Sequence, residues 1–243
     1  MCLDGKSLDG AWQKVALSAR EGKNKAMIQV ITVEREYGSQ GAEYAHHLAH
    51  RLGWKLIDSC LIEDVARKAG VTPDLVKRCD ERVDPWFYRF GKAIWLGGLE
   101  RLPGDPDVFD SARMMEFVRG YVQEQATNGN CVVLGRGAAC TLARSSGAFH
   151  VFVYASLARK IRYVEEHFPE HAKDAENQIQ DTDRRRAEYI RRFHQREWDD
   201  RRLYHLMLNS CMGLDAMVES TVEAAGLHAV AAAAEHANQA AVS

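Results

Sequence analysis

Residues 27–33, MIQVITV, are a short β-branched apolar run that passes through Glu34-Arg35-Glu36 into a glycine-rich turn, Tyr37-Gly38-Ser39-Gln40-Gly41. A run of this kind bounded by charge and glycine predicts a buried strand. Ala45, Leu48, Ala49 and Leu52 follow at helical spacing between Ala42 and Leu52, and Gly53 stops them. Strand, glycine turn and helix in this order form a βα unit. Its turn can aim backbone N–H groups and the positive end of a helix at an anion.

The pattern recurs along the chain. Further strands are predicted at 54–58 (WKLID), 131–134 (CVVL), 150–154 (HVFVY) and 203–208, and helices at 61–69, 108–127, 156–167 and 214–225, with a helix start at Thr72-Pro73-Asp74. Short apolar strands alternating with helices predict an α/β fold with a mostly parallel sheet covered on both faces. Dividing 243 residues by about 150 per domain gives roughly 1.6, hence one main domain with an excursion. The excursion is expected at about 72–107, where Trp86, Phe87, Tyr88, Phe90 and Trp95 suit a lid, a cap over the core or a dimer surface. Residues 1–25 read as an appendage and linker, 26–228 as the main domain and 229–243 as an alanine-rich tail, a frayed helix end.

A net charge of −2 leaves no global argument for nucleic acid or for an anionic membrane. The six cysteines, at 2, 60, 79, 131, 140 and 211, form no metal-ligand spacing and read mostly as small buried hydrophobes. The N-terminal stretch has no apolar core of signal-peptide length, and no apolar run reaches membrane-span length, which predicts a reduced, cytoplasmic protein.

Three places could carry chemistry. The Gly38–Gly41 turn is either a tight connection or a phosphate cradle, and its position after the first core strand favours the cradle. Against G-x-x-x-x-G-K-[ST] counted from Gly38, the second glycine, lysine and hydroxyl fall on Glu43, Tyr44 and Ala45, so the lysine and hydroxyl of a standard phosphate loop are missing. Gly135-Arg136-Gly137 ends another strand and is either an ordinary turn arginine or a fork for phosphate. Residues 181–202 hold eight arginines, no lysine and six acids, which suits a solvated helix face or forked anion recognition.

The runs ITVEREYGSQGAEYAHHLAHRLGWKLID, VVLGRGAA, HVFVYASLARKIR and RRRAEYIRRFHQREWDDRRLYHLMLNS, in this order, resemble the cytidylate kinase-like family, a branch of the nucleoside monophosphate kinases. The resemblance implies a P-loop-type three-layer αβα sandwich with a helical nucleotide-binding insertion and an arginine-rich lid at about 168–202. It implies that Arg35, Gly38, Ser39, Gln40 and Gly41 shape the donor cradle, and that Asp58 begins the monophosphate-binding region. Arg136 would meet the acceptor phosphate. Asp183 would bind substrate and, with Arg186, form a D-x-x-R element, followed by Arg191 and Arg192 on the lid, while Asp199 and Tyr204 complete a last motif.

The implied reaction is phosphoryl transfer from ATP, with Mg²⁺, to a nucleoside monophosphate, CMP or dCMP. Arg186, Arg191 and Arg192 would do part of the missing lysine's work. No protein ligand to a metal stands out, and a homodimer fits the aromatic segment. A nucleotide-binding module without turnover and a kinase for another small acceptor remain open alternatives.

Overall fold

The computed structural model describes residues 27–58 and 106–242. The appendage, the helices expected at 61–69 and from Thr72, and the aromatic excursion lie outside the described residues. The sheet is built from β1 (Val30–Arg35), β2 (Lys55–Ile57), β3 (Cys131–Leu134), β4 (Ala148–Tyr154) and β5 (Leu206–Asn209), in the order β2-β3-β1-β4-β5. All four pairings are parallel, so the sheet is entirely rather than mostly parallel.

Period-two alternation sends the two faces of each strand into different cores. Ile31, Val33, Val132, Leu134, Val151 and Val153 pack against α1 (Gly41–Leu52). Val30, Cys131, Val133 and Phe152 pack on the opposite side, against α2 (Pro106–Asn128) and the short α3 (Ala138–Thr141). α4 (Leu157–His167) and α5 (Ala175–His194) meet over Tyr37, where Val164, Ala175 and Ile179 form a small third cluster. α6 (Leu214–Ala225) and α7 (His228–Val242) join the α1 layer. The result is a three-layer αβα sandwich.

Several boundaries differ from expectation for physical reasons. β1 begins at Val30 and continues through the charged pair, because Glu34 and Arg35 stay in register with Phe152 and Val153 of β4. β5 begins at Leu206; Leu203, expected at its start, ends a 3₁₀ turn capped by the Asp200 side chain and anchors in the α2 core. The tail does not fray from its start, since Leu227 and Ala231 are buried in the α1 core. Arg51 of α1 also reaches Glu219 of α6 and Glu235 of α7, at 2.8 and 3.3 Å. Of the described cysteines, Cys131 is buried as expected, Cys140 partly so, and Cys211 is exposed. No helix among the described residues is long and apolar enough to cross a membrane.

A buried histidine contributes to the pH dependence of stability. His150 of β4 lies with its Nδ1 2.8 Å from the Thr32 hydroxyl, and its backbone N–H donates to His205 Nδ1. Burial and the neighbouring His205 lower its pKa from 6.5 to about 4. Between those values the unfolded chain takes up a proton that the folded chain refuses. The His150 contribution is therefore fully present above pH 6.5 and is lost as the pH falls towards 4, at about 1.4 kcal/mol per pH unit. Urea unfolding at pH 7.5, 6.0 and 5.0 should show stability falling with pH, and His150→Gln should reduce the slope by about 1.4 kcal/mol per pH unit; an unchanged slope in the variant would remove His150 as a source.

Candidate functional site

The central strand β1 has β3 on one side and β4 on the other, so its C-terminal turn sits where the strand order reverses. Crevices at such reversals, outside the carboxyl ends of strands, are where open α/β sheets bind ligands. Three loops meet there: 36–40 after β1, 135–137 after β3, and 155–156 after β4.

The first turn is fastened from within. Gly38 and Gln40 are both left-handed, with φ of 74° and 62°. The Ser39 hydroxyl donates to the Glu36 carbonyl at 2.8 Å and lies 3.3 Å from that of Val153, so this fully buried side chain bolts the turn to β4. The Gln40 side-chain oxygen accepts from Arg159 at 3.1 Å. Tyr44 lies in the core, its hydroxyl 2.7 Å from that of Thr221. A lysine at that position would bury its ammonium among apolar side chains, so the eight-residue phosphate-loop count from Gly38 does not describe this turn. Glu43 accepts a hydrogen bond from the Tyr163 hydroxyl.

The second turn carries three successive left-handed residues, Gly135, Arg136 and Gly137, with φ of 71°, 65° and 61°. A non-glycine residue held there stores roughly 1–3 kcal/mol of strain, a condition that gathers at ligand sites. Arg136 is 5% exposed. Both glycines admit close neighbours: a Cβ on Gly135 would lie 2.4 Å from an Arg35 guanidinium nitrogen, and one on Gly137 2.3 Å from His194 Nε2. A Cβ on Gly41 would lie 2.3 Å from that of Arg35. The Arg35 side chain thus runs from the start of α1 to the second turn and bridges the two glycine segments. The Gly135 N–H also donates to the Val33 carbonyl at 2.8 Å.

Beneath the second turn lies Glu34, a buried carboxyl that sequence reasoning passed over as the charged end of a strand. Burial raises its pKa, against the pull of Arg35, the Trp198 indole N–H, Arg186 and the Gly137 N–H. His194, beside Gly137, is pushed down to a pKa of about 4 by burial and by Arg119, and is neutral at pH 7.

α5 brings two of its expected residues to the first turn. The Tyr37 N–H donates to Asp183 Oδ1 at 2.7 Å, and Arg186 donates to the Arg35 carbonyl at 2.8 Å. Arg191 and Arg192 do not join them. Five and six residues beyond Arg186, they turn onto another face, where Arg191 is 61% exposed and pairs with Glu197 at 2.8 Å. Arg192 lies over the Phe193 ring. Asp58 directly follows β2, at the same carboxyl edge of the sheet.

Lys160 was also missed. From the first turn of α4 it reaches Glu36 at 3.1 Å and Asp183 at 3.0 Å. Its only sequence signal was its place just after β4, because its partners are more than 20 residues away in either direction.

A family model described as the cytidylate kinase-like family matches residues 30–211. No curated protein matches the chain. Among solved structures, an uncharacterised protein from Eubacterium ventriosum aligns with a TM-score of 0.56 and 21% identity, over 80% of this chain and 96% of that one. A shikimate kinase from Bacteroides thetaiotaomicron aligns at 0.48 and 16%, over 83% of this chain and 100% of that one.

Proposed function

The chain belongs to the cytidylate kinase-like family, and from that premise we propose that it transfers the γ-phosphoryl group of ATP to a nucleoside monophosphate, CMP or dCMP, giving the diphosphate. The observation that carries this reading is the pair of glycine turns at the ends of neighbouring strands, bridged by Arg35 and flanked by the buried Arg136 and Arg186. Such a site offers forked cations to two phosphate groups side by side.

Phosphoryl transfer asks little covalent chemistry of a protein and much positioning and charge neutralisation. In this reading the Gly38–Gly41 turn and Arg35 hold the donor phosphates, and Arg136, at the next strand end, holds the acceptor phosphate. Arg186 links the lid helix α5 to the carbonyl of Arg35, so the lid moves with the donor cradle. The docked lid excludes water that would otherwise accept the phosphoryl group. No cluster of carboxylates, imidazoles or thiols among the described residues would hold a metal ion, so Mg²⁺ would have to enter with the nucleotide and would supply charge neutralisation there. The exposed Arg191 and Arg192 reach the reacting group in this scheme only if α5 shifts when nucleotides bind.

The test is diphosphate formation from Mg²⁺-ATP with CMP, dCMP, UMP, AMP and GMP. Turnover favouring a cytidine nucleotide is the expected result. ATP binding without transfer to any of the five would replace this reading with a nucleotide-binding module or a kinase for a different acceptor.

A further inference from the structure

The first turn has no lysine of its own, yet an ammonium stands beside it. Lys160 is 8% exposed and enters from α4, which comes so close that a Cβ on Gly38 would lie 3.0 Å from the Lys160 carbonyl oxygen. Two hydrogen-bond donors from different segments converge on the Asp183 carboxylate, with a guanidinium of its own helix within ion-pair distance. The donors are the Tyr37 N–H at 2.7 Å and Lys160 Nζ at 3.0 Å, and an Arg186 guanidinium nitrogen lies 3.8 Å away. Backbone amide, ammonium and guanidinium are the groups with which proteins hold phosphate. Here they hold a carboxylate carried by the lid helix.

We propose that Lys160 is the ammonium of the donor-phosphate site, and that Asp183 occupies that site as an internal anion until a phosphate displaces it. The proposal deepens the donor half of the reading above and rests on it. Lys160 lies between two carboxylates, Glu36 and Asp183. Glu36 is fixed to the β4 turn, since its Oε2 accepts from the Ala155 N–H at 3.1 Å. Asp183 is the partner that can leave, because it rides on α5. When a phosphate takes its place, the Asp183 side chain turns away, the Tyr37 amide and Lys160 exchange one anion for another, and Arg186 keeps α5 on the turn through the Arg35 carbonyl. The lid is thereby coupled to donor occupancy through a residue that lies on neither the glycine turn nor the lid.

The test uses the full chain with tripolyphosphate and with Mg²⁺-ATP, titrated by calorimetry against the parent, Asp183→Asn, Lys160→Met and the double variant. Asp183→Asn keeps the shape and can still accept from Tyr37, but it removes the competing charge; it should tighten tripolyphosphate on the order of tenfold. Lys160→Met should weaken it on the order of tenfold or more. The double variant leaves one carboxylate, Glu36, without its ammonium where the single lysine variant leaves two, so it should fold more readily, and it should lose the gain. Full gain in the double variant, or parental ATP affinity in a folded Lys160→Met, would overturn the proposal and leave the kinase reading standing. Lysine-dependent tripolyphosphate binding without ATP binding would keep the anion site and remove the ATP reading. Binding of neither ligand to the parent would remove both.

Discussion

Arg136→Ala should lower kcat/KM for the acceptor by about 10²–10³-fold, on the scale of removing one preorganised charge-stabilising donor. The expectation rests on the contrast between the residue's chemistry and its placement. A guanidinium is among the costliest side chains to bury, and this one is 5% exposed on a backbone that L-residues rarely adopt. Nothing about a tight connection requires arginine there, since glycine or asparagine would fill the left-handed turn with less strain and less desolvation. Arg136→Lys is the informative companion: it keeps the charge but not the planar fork, and should recover only part of the loss. Steady-state kinetics with the acceptor varied, alongside melting curves, separates this from unfolding. A variant with parental kinetics would place Arg136 outside the site.

The second large effect is expected at Gly41. An added methyl there lies 2.3 Å from Arg35 Cβ and 2.8 Å from its Cγ, atoms too near the backbone to swing aside. Either the end of β1 or the start of α1 must move. Overpacking of this kind costs about 1–3 kcal/mol, which lowers Tm by roughly 2–12 °C in a chain of this size. Activity should fall further than stability, because the same shift carries the Arg35 guanidinium away from the second turn. Gly120→Ala is the control: its methyl meets nothing within 4 Å on an exposed face of α2, and alanine there should add about 0.5–1 kcal/mol of stability. Equal melting temperatures for Gly41→Ala and the parent would show that the two segments are looser than their contact implies.

Much of this architecture could be read from local signals. β-branched runs ending in glycine located β1 and β3, and apolar spacing placed the α6 helix at 214–225 with its observed bounds. Glu34 and Arg35 were read as a stop because charge normally marks the end of a buried strand. At the carboxyl edge of a central strand that rule fails, since the neighbouring turns supply N–H groups and cations to meet the charge. The alanine-rich tail looked too featureless to pack, but small side chains are what close helix contact needs; a Cβ on Gly53 would meet that of Ala234 at 3.2 Å.

The site was legible where each residue signals alone and illegible where it depends on distant partners. Glycines and Arg136 announced themselves. Lys160 did not, because its role comes from carboxylates at 36 and 183 that only the fold brings together. The separation of Arg186 from Arg191 and Arg192 was, by contrast, available from helical geometry. At 100° per residue, positions five and six further on cannot share its face.

The strand order carries a consequence for synthesis. β1 emerges first among the strands, yet its neighbours β3 and β4 begin about 100 residues later, and the helix behind its turn completes its packing only with residues 227–231. At about 5–20 residues per second, the ribosome needs roughly ten to forty seconds between finishing α1 and delivering those last contacts. Through that interval Ile31, Val33, Leu48 and Leu52 lack part of their native cover. The first part of the sheet to be made is thus among the last to be fully sheltered, and its apolar side chains wait longest for their cover.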